Sequence, residues 1–201
     1  MNKGLLIVIS GPAGSGKGTV NARLLESEEF VYSVSATTRA PRPGEVNGKN
    51  YYFISREEFE GRIAAGEMLE YTCYCNNYYG TPLKEALEVI ASGKNLILEI
   101  EVEGAANVKR KYPEAVTIML LPPNGAVLEA RLRGRGTETE EVIQERMAQA
   151  RNEVAQVDRY DYVVYNYDNR AEDAARIIRE IVHAEQYATV RHRNIAENYF
   201  A

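Results

Sequence analysis

A three-layer α/β fold around a central parallel sheet is what this sequence predicts, on three observations. Apolar runs rich in β-branched residues recur over 5–9, 95–101, 115–121 and 161–165. Their apolar character is continuous rather than alternating, as in strands covered on both faces, which are parallel. Helix-compatible segments lie between these runs, the order of a doubly wound sheet. Two stretches depart from that order and predict elaborations on the core: a small inserted α+β subdomain over 35–81 and a short lid over 131–151. The core then comprises 4–34, 82–130 and 152–188, with a polar tail over 189–201 that is free to fray.

Taken in chain order, the first strand empties into Gly11-Pro12-Ala13-Gly14-Ser15-Gly16-Lys17-Gly18-Thr19, and a helix follows over 20–28. Pro41, Pro43, Gly44, Asn47 and Gly48 make the insertion turn-rich. Short β-like pieces over 51–54 and 68–74 flank a helix over 57–65. Further helices are expected over 82–92, 102–111, 124–132, 139–157 and from 170 to about 189, the last capped by Asp168 or Asn169. Glycines flank arginines at Arg131-Leu132-Arg133-Gly134-Arg135-Gly136, an irregular hinge suited to closing over phosphates. Arg133 and Arg151 are expected to face solvent.

Composition narrows the classes. A chain of 201 residues suits one domain with a proper core. The net charge of −5 gives no reason to expect a nucleic-acid partner. No apolar run is long enough to cross a bilayer and the first residues carry no signal-peptide pattern, so a cytoplasmic protein with no membrane partner is expected. Cys73 and Cys75 are the only cysteines; they alternate on an expected strand and share a face. Two thiols with no histidine nearby make a poor zinc site, so reduced thiols are expected. Oligomeric state is not legible.

The glycine loop carries the chemistry. Strand, glycine turn, lysine and helix, in that order, build a triphosphate cradle. Glycines let backbone N–H groups converge on phosphate oxygens, and the helix start adds partial positive charge. Lys17 supplies a mobile cation for the terminal phosphates. Gly11, Gly16 and Lys17 fit the pattern Gly-x-x-x-x-Gly-Lys-Ser/Thr, but Gly18 stands where a hydroxyl should reach Mg²⁺, and Thr19 follows one position later.

Phosphoryl transfer between two nucleotides needs a second phosphate site, and the sequence has two separate arginine sets. Arg39 and Arg42 flank the stiff turn at Pro41, with Tyr51 and Tyr79 as hydroxyl donors. Arg131 and Arg135 lie in the lid and Arg146 on the next helix, about three turns beyond Arg135, so that a bend must bring them together to spread charge over the transferring group.

These elements, with Ser35-Ala36-Thr37-Thr38-Arg39-Ala40-Pro41-Arg42-Pro43-Gly44-Glu45-Val46-Asn47-Gly48, Asn77-Tyr78-Tyr79-Gly80-Thr81, Leu98-Glu99-Ile100-Glu101-Val102-Glu103-Gly104 and Gly134-Arg135-Gly136-Thr137-Glu138, resemble the guanylate kinase family over 4–184. The resemblance implies the P-loop form of the α/β fold and the reaction ATP + GMP ⇌ ADP + GDP with Mg²⁺, in purine nucleotide metabolism and GMP recycling, with dGMP as a further acceptor. It implies that Ser35, Glu70, Thr81 and Glu101 face the guanine. Arg39, Arg42, Tyr51 and Tyr79 would hold the GMP phosphate. Lys17 and the amides of 11–19 would hold the ATP phosphates, Arg131, Arg135 and Arg146 would close over them, and Asn166 would lie near the adenine.

The chemistry of guanine agrees with that set. Its N1–H and N2–H₂ are donors and its O6 an acceptor. Glu70 suits the donor edge, and Ser35 or Thr81 suits O6. Adenine would leave buried polar groups unpaired, a penalty on the order of 10⁴-fold in the best sites. Glu99 and Glu101 end an expected strand on one face, at the carboxyl end where ligands bind. One suits hydrated Mg²⁺ and the other the base. Many family members have Asp at the second position, so Glu101 is one methylene longer. Thr19 and Glu99 are the candidates for contact with Mg²⁺. The acceptor is an ionised phosphate oxygen, so no general base is needed, and neither His183 nor His192 is nominated. Two rival readings are a kinase for AMP or a pyrimidine monophosphate, which the Gly-Lys-Gly-Thr ending suits, and a non-catalytic protein-interaction module, which an intact Lys17 disfavours.

Overall fold

The computed structural model describes residues 3–74, 76–134, 136, 139–192 and 195–199. In chain order the elements are β1 (Leu6–Ser10), α1 (Lys17–Leu24), β2 (Phe30–Tyr32), β3 (Ala36–Thr37), β4 (Tyr52–Phe53), α2 (Arg56–Ala64), β5 (Met68–Tyr74), β6 (Asn77–Pro82), α3 (Leu83–Ala91), β7 (Asn95–Glu99), α4 (Val102–Lys111), β8 (Val116–Leu121), α5 (Gly125–Arg133), α6 (Glu140–Val154), β9 (Tyr162–Tyr165), α7 (Ala171–Gln186) and α8 (Ile195–Asn198). Five strands form a parallel sheet in the order β2-β7-β1-β8-β9, and four form a smaller sheet in the order β4-β3-β6-β5. The expected α/β class with a central parallel sheet is what the chain adopts.

Two compact units make up the chain: Lys3–Ile9 with Glu28–Ala115, and Ser10–Ser27 with Val116–Ala201. In the first, β7 pairs with β1 from Leu6↔Leu96 to Ile9↔Glu99 and with β2 from Phe30↔Asn95 to Tyr32↔Ile97. Leu96, Ile97 and Leu98 are buried, as a strand covered on both faces requires. The Asn95 side chain accepts from Leu5 N–H at 3.0 Å and fixes the strand start. β2 escaped the sequence reading because it has only three residues, buried at Phe30 and exposed at Tyr32. The small sheet pairs β3 with β6 and β5 with β6 antiparallel, and β3 with β4 parallel. Its core is Ala36, Phe59 and Met68, with Tyr52, Ile54, Ile63 and Tyr78 packed around them. The Ser55 side chain accepts from Glu58 N–H at 3.1 Å and caps α2.

In the second unit β8 is buried along its whole length and pairs with β9 from Ile118↔Tyr162 to Leu121↔Tyr165. Helix α1 contacts α7. Leu128, Leu132, Ile143 and Ala150 make the core that α5 and α6 share.

Several expectations are corrected. The first helix ends at Leu24, short of 28. Helix α5 is continuous through Arg133, so Arg131 sits on its last turn and not in an irregular hinge. Arg133 is exposed as expected but pairs with Glu129 at 2.7 Å and with Glu140, tying α5 to α6; Arg151 is exposed. Helix α7 starts after Arg170 with no side-chain cap, because Asn169 is left-handed (φ 57°) and Asp168 is used elsewhere. Strand β7 stops at Glu99; Glu101 is the residue preceding α4, so the two glutamates do not alternate on one strand face. At the start of the tail, Arg191 pairs with Glu185 at 2.7 Å, and Tyr162 Oη donates to the same carboxylate at 2.5 Å. Cys73 is an exposed free thiol, and Cys75 lies outside the described residues.

Candidate active site

The candidate donor cradle grows out of the carboxyl end of β1. Ser15 N–H donates to Pro12 O at 3.0 Å, and Thr19 and Val20 N–H both reach Gly16 O at 3.1 Å, so the loop closes into the first turn of α1. Gly16 precedes α1 in the left-handed region (φ 89°). That places successive amides at a helix start, which is an anion site. Lys17 Nζ donates to Gly11 O at 2.5 Å and to Pro12 O at 3.4 Å, so its ammonium folds back over the loop. Gly11, Pro12 and Ser15 are buried; Ala13, Gly18 and Thr19 are exposed; and Gly14, Gly16 and Lys17 are intermediate. Among the described residues, a Cβ on Gly18 would meet nothing within 4 Å beyond its chain neighbours and its own helix turn.

Arg131 is brought to this loop. Its Nη1 donates to Gly14 O at 3.4 Å and Ser15 O at 3.3 Å, its Nη2 to Asn166 O at 2.8 Å, and its Nε and Nη2 to Asp168 Oδ1 at 3.0 and 2.7 Å. Asn166, at the end of β9, is 5 % exposed and its Nδ2 donates to Ser15 O at 2.9 Å. Thus Lys17, Arg131 and Asn166 converge on 11–19. Arg146 is half-buried on α6. Arg135 lies outside the described residues. The sequence offers Asp168 only as a helix cap; the signal for a place here is its position two residues after Asn166, at the carboxyl end of a parallel strand.

The candidate acceptor residues lie on the small sheet. Glu70 and Thr81 are register partners on β5 and β6, and Thr81 Oγ1 donates to Glu70 Oε1 at 2.9 Å. Both are buried, at 6 % and 1 % exposure. Burial pushes the Glu70 carboxyl above its usual range, against the lowering effect of the Thr81 hydroxyl and backbone N–H. Gly104, in the first turns of α4, passes close by: a Cβ there would lie 3.5 Å from Glu70 Oε2. Lys111 Nζ donates to Met68 O at 2.9 Å and ties α4 to the start of β5. Ser35 is half-buried just before β3, and its carbonyl accepts from Tyr52 N–H at 2.8 Å.

Arg39 lies with the aromatic candidates. Its guanidinium is 5.6 Å from the Tyr51 ring centre and 5.8 Å from that of Phe53. The Tyr51 and Tyr79 rings meet edge to face at 6.0 Å. Burial raises the Tyr51 phenol, with further push from Tyr79, which keeps it a protonated donor. Arg39 Nη2 also reaches both oxygens of Glu45, at 2.9 and 3.0 Å. Arg42 has an exposed side chain, and its backbone N–H donates to Glu45 Oε2 at 2.6 Å. Glu99 is half-buried and accepts from Tyr32 Oη at 3.3 Å; Glu101 is exposed.

A glycine cradle with its lysine on a parallel α/β sheet, a separate arginine and tyrosine set and a buried carboxylate on the small sheet are the features of a nucleoside monophosphate kinase of the P-loop type. A family model described as guanylate kinase matches residues 3–185. Guanylate kinase of Halalkalibacterium halodurans is 55% identical over 184 residues, covering 91% of this chain and 89% of the relative. That of Lactococcus lactis is 51% identical over 190 residues, covering 94% and 92%. The crystal structure of guanylate kinase from Anaplasma phagocytophilum superposes with a TM-score of 0.76 at 34% identity, over 100% of this chain and 97% of that one. The chain belongs to the guanylate kinase family. It is an enzyme, a phosphotransferase acting from ATP to GMP, and both rival readings give way. Among the described residues no helix is long and apolar enough to cross a membrane.

Proposed function

We propose the following division of labour for transfer of the ATP γ-phosphoryl group to GMP. Residues 11–19 and Lys17 hold the ATP phosphates, with Asn166 at the adenine end. Arg131, Arg135 and Arg146 stabilise the transferring group. Arg39, Arg42, Tyr51 and Tyr79 grip the GMP phosphate, and Glu70, Thr81, Ser35 and Glu101 read the guanine. The domains follow the same division: a core over 4–34, 82–130 and 152–188, a GMP-binding insertion over 35–81, and a lid over 131–151.

The observation that carries this reading is the buried Glu70–Thr81 pair. An ionised Glu70, held by the Thr81 hydroxyl, accepts from guanine N1–H and N2–H₂, and the Ser35 hydroxyl donates to O6. AMP would leave the carboxylate facing a lone pair in a dry site. Catalysis comes from alignment and charge neutralisation, because the attacking phosphate oxygen is already ionised.

Mg²⁺ fits the residues present. Among the described residues no cluster of three or more His, Cys, Asp or Glu is arranged to hold a metal. Thr19 offers an exposed hydroxyl at the start of α1, and Glu99 a half-buried carboxylate. When bound, the ion neutralises phosphate charge. The reaction belongs to purine nucleotide metabolism and GMP recycling in the cytoplasm, and dGMP is accepted because none of the base-reading groups requires a 2′-hydroxyl.

The test is ADP formation with GMP, dGMP, AMP, CMP and UMP, with and without Mg²⁺. GMP should exceed AMP by at least 100-fold in kcat/KM, an ordinary margin when a mismatched base strands buried polar groups. AMP equal to or better than GMP would overturn the base-recognition scheme.

A further inference from the structure

Glu45 is a carboxylate inside what should be a site for an anion. It is intermediate in exposure, and its side chain binds Arg39 and the backbone of Arg42, two of the groups assigned to the GMP phosphate. A carboxylate there would be expected to repel and compete with a phosphate dianion, unless what it orders is worth more than its charge costs.

The local geometry favours ordering. Arg42 N–H donates to Glu45 Oε2 at 2.6 Å, and Glu45 N–H donates back to Arg42 O at 3.0 Å. This reciprocal pair closes the turn from Arg42 to Glu45 that contains Pro43 and Gly44, with Pro41 just before it. From that closed turn Glu45 reaches Arg39 Nη2 with both oxygens, while Arg39 Nη1 donates to Ala40 O at 2.7 Å. Tyr51 and Phe53 present their rings to the same guanidinium. Arginine is a long side chain with five donors in a rigid planar fork, and phosphate recognition needs that fork aimed. A carboxylate on one edge and rings nearby fix its plane before substrate arrives, which is preorganisation. The Arg39 pairing, then the Arg42 N–H, hold the Glu45 carboxyl below its usual range, so it stays ionised for this task.

We infer that Glu45 is a positioning residue for the acceptor phosphate: by bonding Arg39 and the Arg42 backbone together it aims both arginines at one phosphate group. This rests on the assignment of Arg39 and Arg42 to the GMP phosphate.

The test compares Glu45→Gln, Glu45→Asp, Arg39→Ala and the double variant Arg39→Ala/Glu45→Gln in the full chain, with KM measured separately for GMP and ATP and thermal stability alongside. Glu45→Gln should raise KM for GMP about 10-fold, as loss of a charge-assisted pair would. KM for ATP should stay within about twofold and kcat should fall less than KM rises. Glu45→Asp should recover part of the loss, and the double variant should be no worse than Arg39→Ala alone, because the two residues act as one unit. An unchanged or lower KM for GMP in Glu45→Gln, with Arg39→Ala still impaired, overturns the inference alone. Equal rises in both KM values with a lower melting temperature would make Glu45 merely structural and also overturn it. Full additivity in the double variant does the same. No effect of Arg39→Ala on KM for GMP overturns the phosphate assignment itself, and the inference with it.

Discussion

The side-chain amide of Asn166 donates to Ser15 O at 2.9 Å, and directly beside that bond the chain has room for no more than a hydrogen: a Cβ on Gly16 would lie 2.3 Å from Asn166 Nδ2. Gly16 is also left-handed, which L side chains rarely adopt. Gly16→Ala should therefore cost about 1–3 kcal/mol from backbone strain alone, and displace Asn166 from the loop. Gly18 is the opposite case, inside α1 with open space around it. Gly18→Ala should leave the fold as stable or up to about 1 kcal/mol more stable, through helix propensity. Thermal unfolding of the two variants without nucleotide checks the contrast.

Among the described residues, the Lys17 ammonium donates to loop carbonyls, at Gly11 and Pro12. Removing it should leave the loop folded and remove the cation for the terminal phosphates. Lys17→Ala should lower kcat by at least about 100-fold, the scale for one charge-stabilising donor. The Kd for GMP should stay within about twofold, because the proposed division of labour gives the lysine to the donor side. Steady-state kinetics with equilibrium GMP titration checks this, and equal damage to both would refute the separation of tasks.

Arg131 uses three nitrogens in different directions, on Gly14, Ser15, Asn166 and Asp168. A lysine carries one point charge and cannot span that set. Arg131→Lys should therefore restore little of what Arg131→Ala loses, with the defect in KM for ATP and in kcat. Recovery by lysine to near the parent values would show that only charge matters there.

Glu70 gives a pH dependence with a definite sign. Its folded pKa is raised by burial, so the folded state binds its proton more tightly than the unfolded chain does. The fold is favoured while Glu70 is protonated, below its unfolded pKa, and that contribution is lost as pH rises through the folded value. Under the proposed base reading, recognition runs the other way, because the ionised carboxylate is the better acceptor for guanine N1–H and N2–H₂. KM for GMP should rise as pH falls through the Glu70 transition, while Glu70→Gln should flatten that limb, raise KM for GMP at least about 10-fold and leave the melting temperature at neutral pH no lower. A collapse in melting temperature with unchanged selectivity would make Glu70 structural.

Strands β1, β7 and β8 were legible because long apolar runs have few alternatives to a sheet covered on both faces. The pieces β2, β3 and β6 were not, since three residues or an Asn-Tyr-Tyr-Gly-Thr run becomes a strand only when a partner supplies its hydrogen bonds. The expected alternation of Glu99 and Glu101 failed because the chain leaves β7 and turns into α4 between them. Glu45 and Asp168 were missed because each acts on an arginine rather than on a ligand pattern.

From the sequence alone came the family resemblance, the α/β class, the glycine cradle with Lys17 and the identity of the arginines, because those depend on residue type and spacing along the chain. Tertiary structure decided which carboxylate meets which arginine, the burial that shifts Glu70, and the fit of Asn166 against Gly16. Those properties arise from contacts between segments far apart in sequence, whose distances no local pattern encodes.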